Sequence, residues 1–558
     1  MLSNTDITLQ EPEAEALELG VETSGFRDAQ AQPRRAMGGR IARAALVLML
    51  GTILSRVLGL GRETTIAHLF GGGADVDAFT IANSVATIVY DLLIAGTVSA
   101  ALVPVFSEYA ADPARRPEFG KLVSTILSVA GVFLLFALAV LELLAQPLSN
   151  FMCAGKSVET CSQALTMTQW VLPGVFFMGL SGVVMAAHYS LNRFIYPAFT
   201  SALFNMAIIF CGFTLAGYLG VRSLVLGIVV GAFAMLAMQL PGLRDIPLRP
   251  SFDINHPAVR KILKLYAPVG LSVVVSSAAL VIDRNLASQV GEGSISAMRF
   301  ATTLIQFALG LVSAAISLAA LPSLSQHFSN GDDDAYKRTL SAGLRLVTVL
   351  VLPAAAGLLA LGSPLVDLFF KHGAFTQADQ SLTSQALLFY VIGLPFSAID
   401  QVLIFAFYAR KNTLTPVLVG IAAAGVYLAV AFGTVGILGV RGLVLGNSMQ
   451  LLFHAVVMGF LLWRVVGHGG GLKGYGIGDT VAKAGGAAAL MAIVSYVTWW
   501  ALSQVVQPLS LTPKLILLAL PLAAGGGIYA VLVWTMRLPE VELIQSKVLG
   551  KVLARLHK

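Results

Sequence analysis

The residues of this 558-residue chain whose types and positions could do chemistry are charged side chains inside long apolar segments. In the first half of the chain they are Arg56, Arg62, Glu63, Asp77 and Asp91. A charge in the hydrocarbon of a bilayer costs about 2.5–3.5 kcal/mol on insertion scales, so it persists when it is paired or faces water. Arginines in such positions can bind an anion, and carboxylates can bind a proton or a metal cation.

The second half of the chain holds four more such charges: Asp283, Arg284, Arg299 and Asp400. We predict that Asp283 and Asp400 are sites of coupling to a sodium ion or a proton, with the membrane potential as another source of energy. The alternative is that all these charges form structural ion pairs between helices. Successive helix residues point about 100° apart, so we expect Asp283 to find a partner other than Arg284.

Sequence motifs of enzymes and metal sites are not found in the chain. It lacks a phosphate-binding glycine loop, a zinc-protease helix and a Ser/His/Asp set in a credible context, so we expect neither catalysis nor a bound cofactor. Cys153, Cys161 and Cys211 do not have the paired spacing of a zinc site. Cys153 and Cys161 share one short loop, and the sequence leaves open whether they form a disulfide or remain free thiols.

The elements that position these charges are membrane helices. Apolar residues make up 57% of the chain and charged residues 12%, and the mean hydropathy is +0.81, which excludes an ordinary soluble protein. Apolar segments of roughly 20 residues, the length that crosses a bilayer, recur almost end to end. We predict about fourteen helices, near residues 44–62, 80–106, 122–146, 163–188, 198–219, 221–241, 264–289, 298–322, 340–370, 383–408, 414–436, 440–464, 480–505 and 512–536.

Loop charge predicts the orientation. Lysines and arginines are concentrated in alternate loops, as at Arg115, Arg116 and Lys121, and such loops stay in the cytoplasm. Both termini are therefore predicted to be cytoplasmic, with residues 1–38 as a disordered acidic tail. The net charge of +7 is distributed among these loops and does not form a nucleic-acid patch, so we expect no nucleic-acid partner.

A repeat predicts two lobes. Val103-Pro104 near the end of helix 2 matches Leu321-Pro322 near the end of helix 8 at an offset of 218 residues, and His188-Tyr189-Ser190 matches Phe407-Tyr408-Ala409 at an offset of 219. Six helices per repeat preserve orientation, so the lobes are parallel, with the substrate path between them. The predicted units are an N-lobe (39–262), a C-lobe (263–466) and two further helices with a basic tail (467–558).

Several motifs resemble those of the MurJ/MviN family of lipid II flippases, within the multidrug/oligosaccharidyl-lipid/polysaccharide exporter superfamily. The resemblance covers residues 40 to 540. The motifs are Ser55-Arg56-Val57-Leu58-Gly59, Arg62-Glu63, Phe70-Gly71, Asp77-Ala78-Phe79, Val103-Pro104, Glu108-Tyr109, Asn192-Arg193-Phe194, Pro197-Ala198-Phe199, Leu321-Pro322-Ser323-Leu324-Ser325, Phe407-Tyr408-Ala409 and Thr415-Pro416.

This resemblance implies a lipid substrate that carries a pyrophosphate, a saccharide and a peptide, and a cationic central cavity. Arg56, Arg62 and Asp77 match functional positions of the family, and Glu63 replaces the usual aspartate. It also implies a bacterial cytoplasmic membrane as the location, contact with membrane lipids along the last two helices, and cell-wall synthesis enzymes as partners.

The chain departs from the family pattern in helices 2 and 8. Tyr90, Asp91 and Ala95 stand where the family has two arginines and a glutamate, and Thr302-Thr303 replaces an Asp-Arg pair. Arg299 lies one helical turn before Thr303, so we expect Arg299, together with Arg284, to supply the missing positive charge.

The function predicted first is therefore lipid II flipping by alternating access. The alternatives are a flippase for another polyprenyl-linked saccharide, a drug or cation antiporter of the same superfamily, and a membrane scaffold that does not transport.

Overall fold

The computed structural model describes residues 24–91, 101–317, 320–466, 472, 474–508, 510–538 and 540. Within these residues the chain forms sixteen α-helices and no β-strand. The helices are α1 (Ser24–Phe70), α2 (Ala74–Tyr90), α3 (Val103–Ala110), α4 (Arg116–Met152), α5 (Val158–Ser190), α6 (Ile195–Leu219), α7 (Arg222–Gln239), α8 (Pro257–Gln289), α9 (Ser294–Ser317), α10 (Ala320–Ser329), α11 (Asp333–Phe369), α12 (Gln377–Ala409), α13 (Leu414–Leu438), α14 (Val440–Val466), α15 (Ile477–Ser503) and α16 (Leu511–Thr535).

The all-helical membrane fold is confirmed. Ten of the described helices are long and apolar enough to cross a membrane by length and composition. The predicted helices 2 and 8 each correspond to two described pieces, α2 with α3 and α9 with α10, and residues 92–100 lie outside the described part. The count of about fourteen crossings stays a prediction.

The predicted duplication is visible in the helix bounds. α4 and α11 each have 37 residues, α5 and α12 each have 33, and α6 and α13 each have 25. The turns after α5 and α12 place Asn192 and Lys411, 219 positions apart, at positive φ of 56° and 59°. We infer that the chain forms two lobes with the same arrangement of helices. The last two described helices, α15 and α16, pack against α11 of the second lobe.

The N-terminal tail requires a correction. Residues 24–38, predicted to be disordered, are the first part of the helix α1. This stretch continues directly into the apolar helix, and its alanine, glutamine and arginine residues favour helical backbone. Residues 1–23 lie outside the described part of the chain.

The segment that joins the two lobes is bound along α4. The Arg249 backbone N–H donates to Ser124 Oγ at 3.0 Å, and Lys121 Nζ pairs with Asp253 at 2.8 Å. Near its start, hydrogen bonds from Arg193 hold the pKa of the Asp245 carboxyl below its usual value. The connection therefore moves with the first lobe.

Cys153 and Cys161 form a disulfide in the loop between α4 and α5, while Cys211 is a buried free cysteine. Cys153 is fully buried and Cys161 is partly exposed. The two possibilities left open by the sequence are thus resolved in favour of the disulfide.

The loop between α4 and α5 tests the predicted orientation. After mild reduction of intact cells, a membrane-impermeant thiol reagent should label Cys161 from outside, because we expect basic loops and both termini to remain in the cytoplasm. A Cys161→Ser variant is the matched control and should lose the label, since Cys211 is buried. Labelling that requires cell lysis would place this loop inside and contradict the predicted orientation.

Candidate functional site

A cavity of about 780 Å³ lies between the two lobes. Its walls come from α1, α2, α5, α6 and α7 of the first lobe and from α8 and α9 of the second. Five charged side chains line it: Arg56, Arg62, Glu63, Arg284 and Arg299. Four of the five predicted substrate-binding residues are therefore brought together by the fold.

Close packing of α1 on α6 positions the arginines of α1. A Cβ atom added at Gly51 would lie 2.2 Å from the Ala198 carbonyl oxygen, so only glycine permits this approach. Further along α1, the Arg56 guanidinium lies against Gly310 of α9, where an added Cβ would be 2.9 Å from Arg56 Cζ. Small residues thus set the distance between Arg56 and both lobes.

Glu63 pairs with its neighbour Arg62 and joins the two lobes through Arg299. Arg299 donates from Nε to Oε2 at 2.8 Å and from Nη2 to Oε1 at 2.9 Å, and Arg62 Nη2 donates to Oε1 at 2.7 Å. The Glu63 side chain is 1% exposed, so this carboxylate has exchanged water for guanidinium groups. Sequence analysis identified Glu63 only as a conservative replacement; its position beside Arg62 was the available signal.

Arg56 has a different environment from the other cavity arginines. Its Nη1 donates to the Gln306 carbonyl oxygen at 3.0 Å, and its side chain is exposed to the cavity. Among the described residues no carboxylate pairs with Arg56. Its positive charge is therefore available to an anion in the cavity.

Asp283 and Arg284 are paired, which corrects our expectation that neighbouring helix residues would not meet. Arg284 Nη1 donates to Asp283 Oδ2 at 3.1 Å, because the long arginine side chain folds back along α8. Arg284 Nε also donates to Ser84 Oγ of the first lobe at 3.0 Å, and Tyr427 donates to Asp283 Oδ1 at 2.5 Å. The pair lines a second cavity of about 240 Å³, and Arg284 and Arg299 line both this cavity and the first.

Asp77 does not line the large cavity, and its contact with substrate stays a prediction. Its buried carboxylate accepts hydrogen bonds from Lys156 Nζ at 2.6 Å and from the backbone N–H groups of Gly293 and Ser296, both at 2.8 Å. The two N–H groups belong to the start of α9, where a carboxylate is favourable. Sequence reasoning did not find Lys156 as its partner.

The Asp77 cluster is one of several contacts that close the two lobes at the helix ends predicted to be outside. The Gly155 N–H donates to Ser288 Oγ at 3.2 Å, and the Ala374 N–H donates to the His68 carbonyl at 2.9 Å. Each of these contacts connects a loop of one lobe to a helix end of the other. The large cavity is therefore sealed on this side.

Residues at the positions where the chain departs from the family pattern also reach the cavity. Tyr90, Thr302 and Thr303 line it, and Ala95 lies outside the described residues. Thr303 Oγ1 donates to the Arg299 carbonyl at 3.0 Å, which places the two residues one turn apart as predicted.

Asp400, the second predicted coupling carboxylate, lies apart from the cavity. It is 8% exposed inside the second lobe and bonds to His454, which sequence analysis did not single out.

Comparison with known proteins gives consistent matches. The family model described as "Lipid II flippase MurJ" matches residues 66–520. The chain is 29% identical to the lipid II flippase MurJ of Burkholderia cenocepacia over 75% of this chain and 82% of the relative. It is 33% identical to a probable lipid II flippase MurJ of Vibrio cholerae over 69% of this chain and 75% of the relative.

Solved structures show the same fold. A lipid II flippase MurJ in an inward closed conformation aligns with a TM-score of 0.73 at 23% identity, covering 87% of this chain and 98% of that one. An inward-facing multidrug transporter of the MATE family aligns with a TM-score of 0.64 at 15% identity, covering 76% and 98%.

Replacement of the buried carboxylate at position 63 tests the bridge between the lobes. Glu63→Gln should destabilise the protein because it leaves two cations facing each other, and breaking a buried pair costs about 3–5 kcal/mol. The 25% exposure of the Arg62 side chain reduces this cost towards the lower end or below. The measurement is the thermal unfolding temperature of the purified protein.

Glu63→Asp is the matched control, because it keeps the charge and shortens the side chain by one methylene. It should retain most of the stability that the glutamine variant loses. Equal unfolding temperatures for the glutamine variant and the wild type would show that the bridge contributes nothing.

Proposed function

The chain belongs to the lipid II flippase MurJ family, and we propose that it binds the pyrophosphate of lipid II in the cavity between its two lobes. It is a multi-pass membrane protein that moves this lipid across the membrane. The bacterial cytoplasmic membrane, with both termini in the cytoplasm, is the location that we propose.

The charge of the cavity lining is the observation that carries the proposed binding role. Four arginines and one glutamate face the same space, so a positive excess lies inside a low-dielectric protein. A pyrophosphate has several negative oxygens that must be matched there, and guanidinium groups can bind them through two parallel hydrogen bonds. Lipid II is favoured over another polyprenyl-linked saccharide because the curated relatives are lipid II flippases.

The four cavity arginines differ in whether they already pair with a carboxylate. Arg62 and Arg299 already share the carboxylate of Glu63, and Arg284 is paired with Asp283. Arg56 donates to a carbonyl group and to no carboxylate among the described residues. We infer that Arg56 contacts the pyrophosphate first, and that the phosphate oxygens then compete with Glu63 for Arg62 and Arg299.

This competition links binding to alternating access. The contacts of Glu63 with Arg299 cross from α1 of the first lobe to α9 of the second. Pyrophosphate oxygens that take over Arg299 weaken this crossing contact, which frees one lobe to rock against the other. The lipid tail remains in the bilayer, beside the face formed by α15 and α16.

Coupling to a cation is proposed at Asp283. Its carboxylate lies in the second cavity together with the amide side chains of Asn447 and Gln450. A carboxylate and amide oxygens suit a sodium ion or a proton. A cation that binds Asp283 would compete with Arg284, whose other hydrogen bond reaches Ser84 across the lobes.

Substitution of Arg56 tests the binding role. In membrane vesicles supplied with lipid II, Arg56→Ala should lower lipid II affinity by about 10- to 100-fold, the equivalent of about 1.5–3 kcal/mol for a hydrogen bond to a charged group. Arg56→Lys should recover little, because an ammonium group does not reproduce the guanidinium fork.

Arg222→Ala is the matched control for Arg56. Arg222 is exposed at the start of α7, where it lies 5.9 Å from the ring of Trp170 and far from the cavity lining. This variant should bind and transport as the wild type does. Wild-type affinity in the Arg56→Ala protein would refute the proposed contact with pyrophosphate.

Asp283→Asn tests coupling. Transport rates measured in proteoliposomes with and without an imposed sodium or proton gradient should become similar in this variant, while lipid II binding is retained. Tyr427→Phe is the control, because it removes one hydrogen bond to Asp283 and keeps the carboxylate. A variant that still responds fully to both gradients would mean that Asp283 is structural.

A further inference from the structure

A buried histidine and a buried aspartate meet inside the second lobe. His454 of α14 and Asp400 of α12 are 9% and 8% exposed, and His454 Nδ1 lies 2.7 Å from Asp400 Oδ1. On its other side, His454 Nε2 lies 3.3 Å from the carbonyl oxygen of Pro416 in α13. One imidazole ring therefore connects three helices of the lobe.

The number of protons in this arrangement follows from the chemistry of its atoms. A carboxylate oxygen and a carbonyl oxygen are both acceptors, so each ring nitrogen needs a proton if both hydrogen bonds are to form. The same two protons can also be placed differently. In that case Asp400 is protonated and donates to His454 Nδ1, while Nε2 donates to the Pro416 carbonyl. Both forms contain two protons, whereas an ionised aspartate beside a neutral histidine contains one and can make only one of the two hydrogen bonds.

Both hydrogen bonds can therefore form together only in the form of the pair that holds two protons. Loss of one proton breaks one of the two hydrogen bonds, either the bond between α14 and α12 or the bond between α14 and α13. It also leaves a net negative charge on the buried pair. Both consequences are costly in a low-dielectric environment. Protonation therefore controls whether these three helices are held together at this level.

The corresponding place in the first lobe shows that packing alone does not require ionisable groups. Ser181 lies 219 positions before Asp400, which is the repeat offset, and belongs to α5, the counterpart of α12. Its partner is Gln239 of α7, which donates to Ser181 Oγ at 2.6 Å. His188 of α5 also bonds to the Gln239 carbonyl at 2.9 Å. At the position of Asp400 itself, however, the first lobe has a neutral hydrogen bond and the second lobe has a pair of ionisable groups.

The pair is also close to the second cavity. Gln450, which lines that cavity with Asp283, is four residues before His454 and so lies one helical turn away on the same face of α14. α12 and α13 reach the cavity as well, through Tyr390 and Tyr427. The three helices that meet at His454 therefore also surround Asp283.

Other ionisable groups lie on the helices that pack against the pair. Asp400 is the charged group that contacts His454, and α13 contributes the Pro416 carbonyl and Gly420, whose added Cβ would be 3.8 Å from Nε2. The other titratable groups on the neighbouring helices that line the second cavity or are buried are Asp283 and Arg284 of α8, Arg299 of α9, Tyr336 and Lys337 of α11, Tyr390 of α12 and Tyr427 of α13.

We propose that Asp400 and His454 form a proton-binding site that couples lipid transport to a proton gradient. The site takes up one proton, which holds α12, α13 and α14 together, and releases it when these helices separate. This inference rests on the proposed transport function and deepens the coupling proposed at Asp283. It names the proton as the ion and the Asp400–His454 pair as the group that binds it, with Asp283 in the adjoining cavity.

Transport in proteoliposomes tests the proposal. Lipid II translocation is measured with and without a pH gradient, while the membrane potential is clamped. The wild-type rate should rise with the gradient. In Asp400→Asn and His454→Gln the ratio of the two rates should fall to unity, while lipid II binding is retained.

His188→Gln is the matched control, since His188 is a buried histidine of the first lobe that bonds to the Gln239 carbonyl at 2.9 Å. It should keep the full response to the gradient. An exchange variant, Asp400→His combined with His454→Asp, restores the pair with its partners reversed and should regain the response even if the single variants fold poorly. An exchange variant that transports lipid without any response would overturn the proposal.

A second measurement does not depend on transport. In the purified protein with isotope-labelled histidine, the His454 signal, assigned by its absence in His454→Gln, should titrate between a doubly and a singly protonated ring, and Asp400→Asn should change that titration. A ring that remains singly protonated at every pH, next to an ionised Asp400, would contradict the proposal. Failure of the wild type to move lipid II under any gradient would instead count against the proposed function, and the titration would still decide the proton site.

Discussion

The free-energy cost of a charge in a low-dielectric environment is the constraint on which the rest of this structure depends. Each ionised group between the helices must meet an opposite charge, a hydrogen-bond partner or water in a cavity. Glu63 is buried because Arg62 and Arg299 approach it from two lobes, and Asp77 is buried because Lys156 and the start of α9 neutralise it. The same charges therefore hold the two lobes in one relative position.

This constraint also explains how a flippase can change conformation. Contacts made by charges across the lobes are strong only while both partners are in place, and an anion that enters the cavity offers the arginines an alternative partner. The closed side depends on a different set of contacts, centred on Asp77 and the loop that carries the Cys153–Cys161 disulfide. Binding and sealing thus depend on different groups of the same interface.

The two lobes share one arrangement of helices but differ in the chemistry of their interior side chains. α5 and α12 have equal lengths, yet Ser181 of α5 makes a neutral hydrogen bond to α7, whereas Asp400 at the matching position of α12 pairs with an ionisable histidine of α14. The first lobe contributes Arg56, Arg62 and Glu63 to the anion cavity, and the second lobe contributes Arg284 and Arg299. The carboxylate of Asp283 lines the second cavity. Substrate binding at the lobe interface and ion chemistry within the second lobe follow from this division.

Sequence alone determined the membrane fold, the two-lobe repeat and the arginines of the cavity, because apolar segment length, repeat offset and buried charge are local properties of the chain. Ion pairing was decided only by the tertiary structure. Asp283 and Arg284 meet because an arginine side chain bends back, Asp77 lies at the closed side because it binds the start of a helix 216 residues away, and His454 gains its importance only beside Asp400. Helix periodicity shows which residues share a face, but the partner of a buried charge depends on how distant helices approach each other.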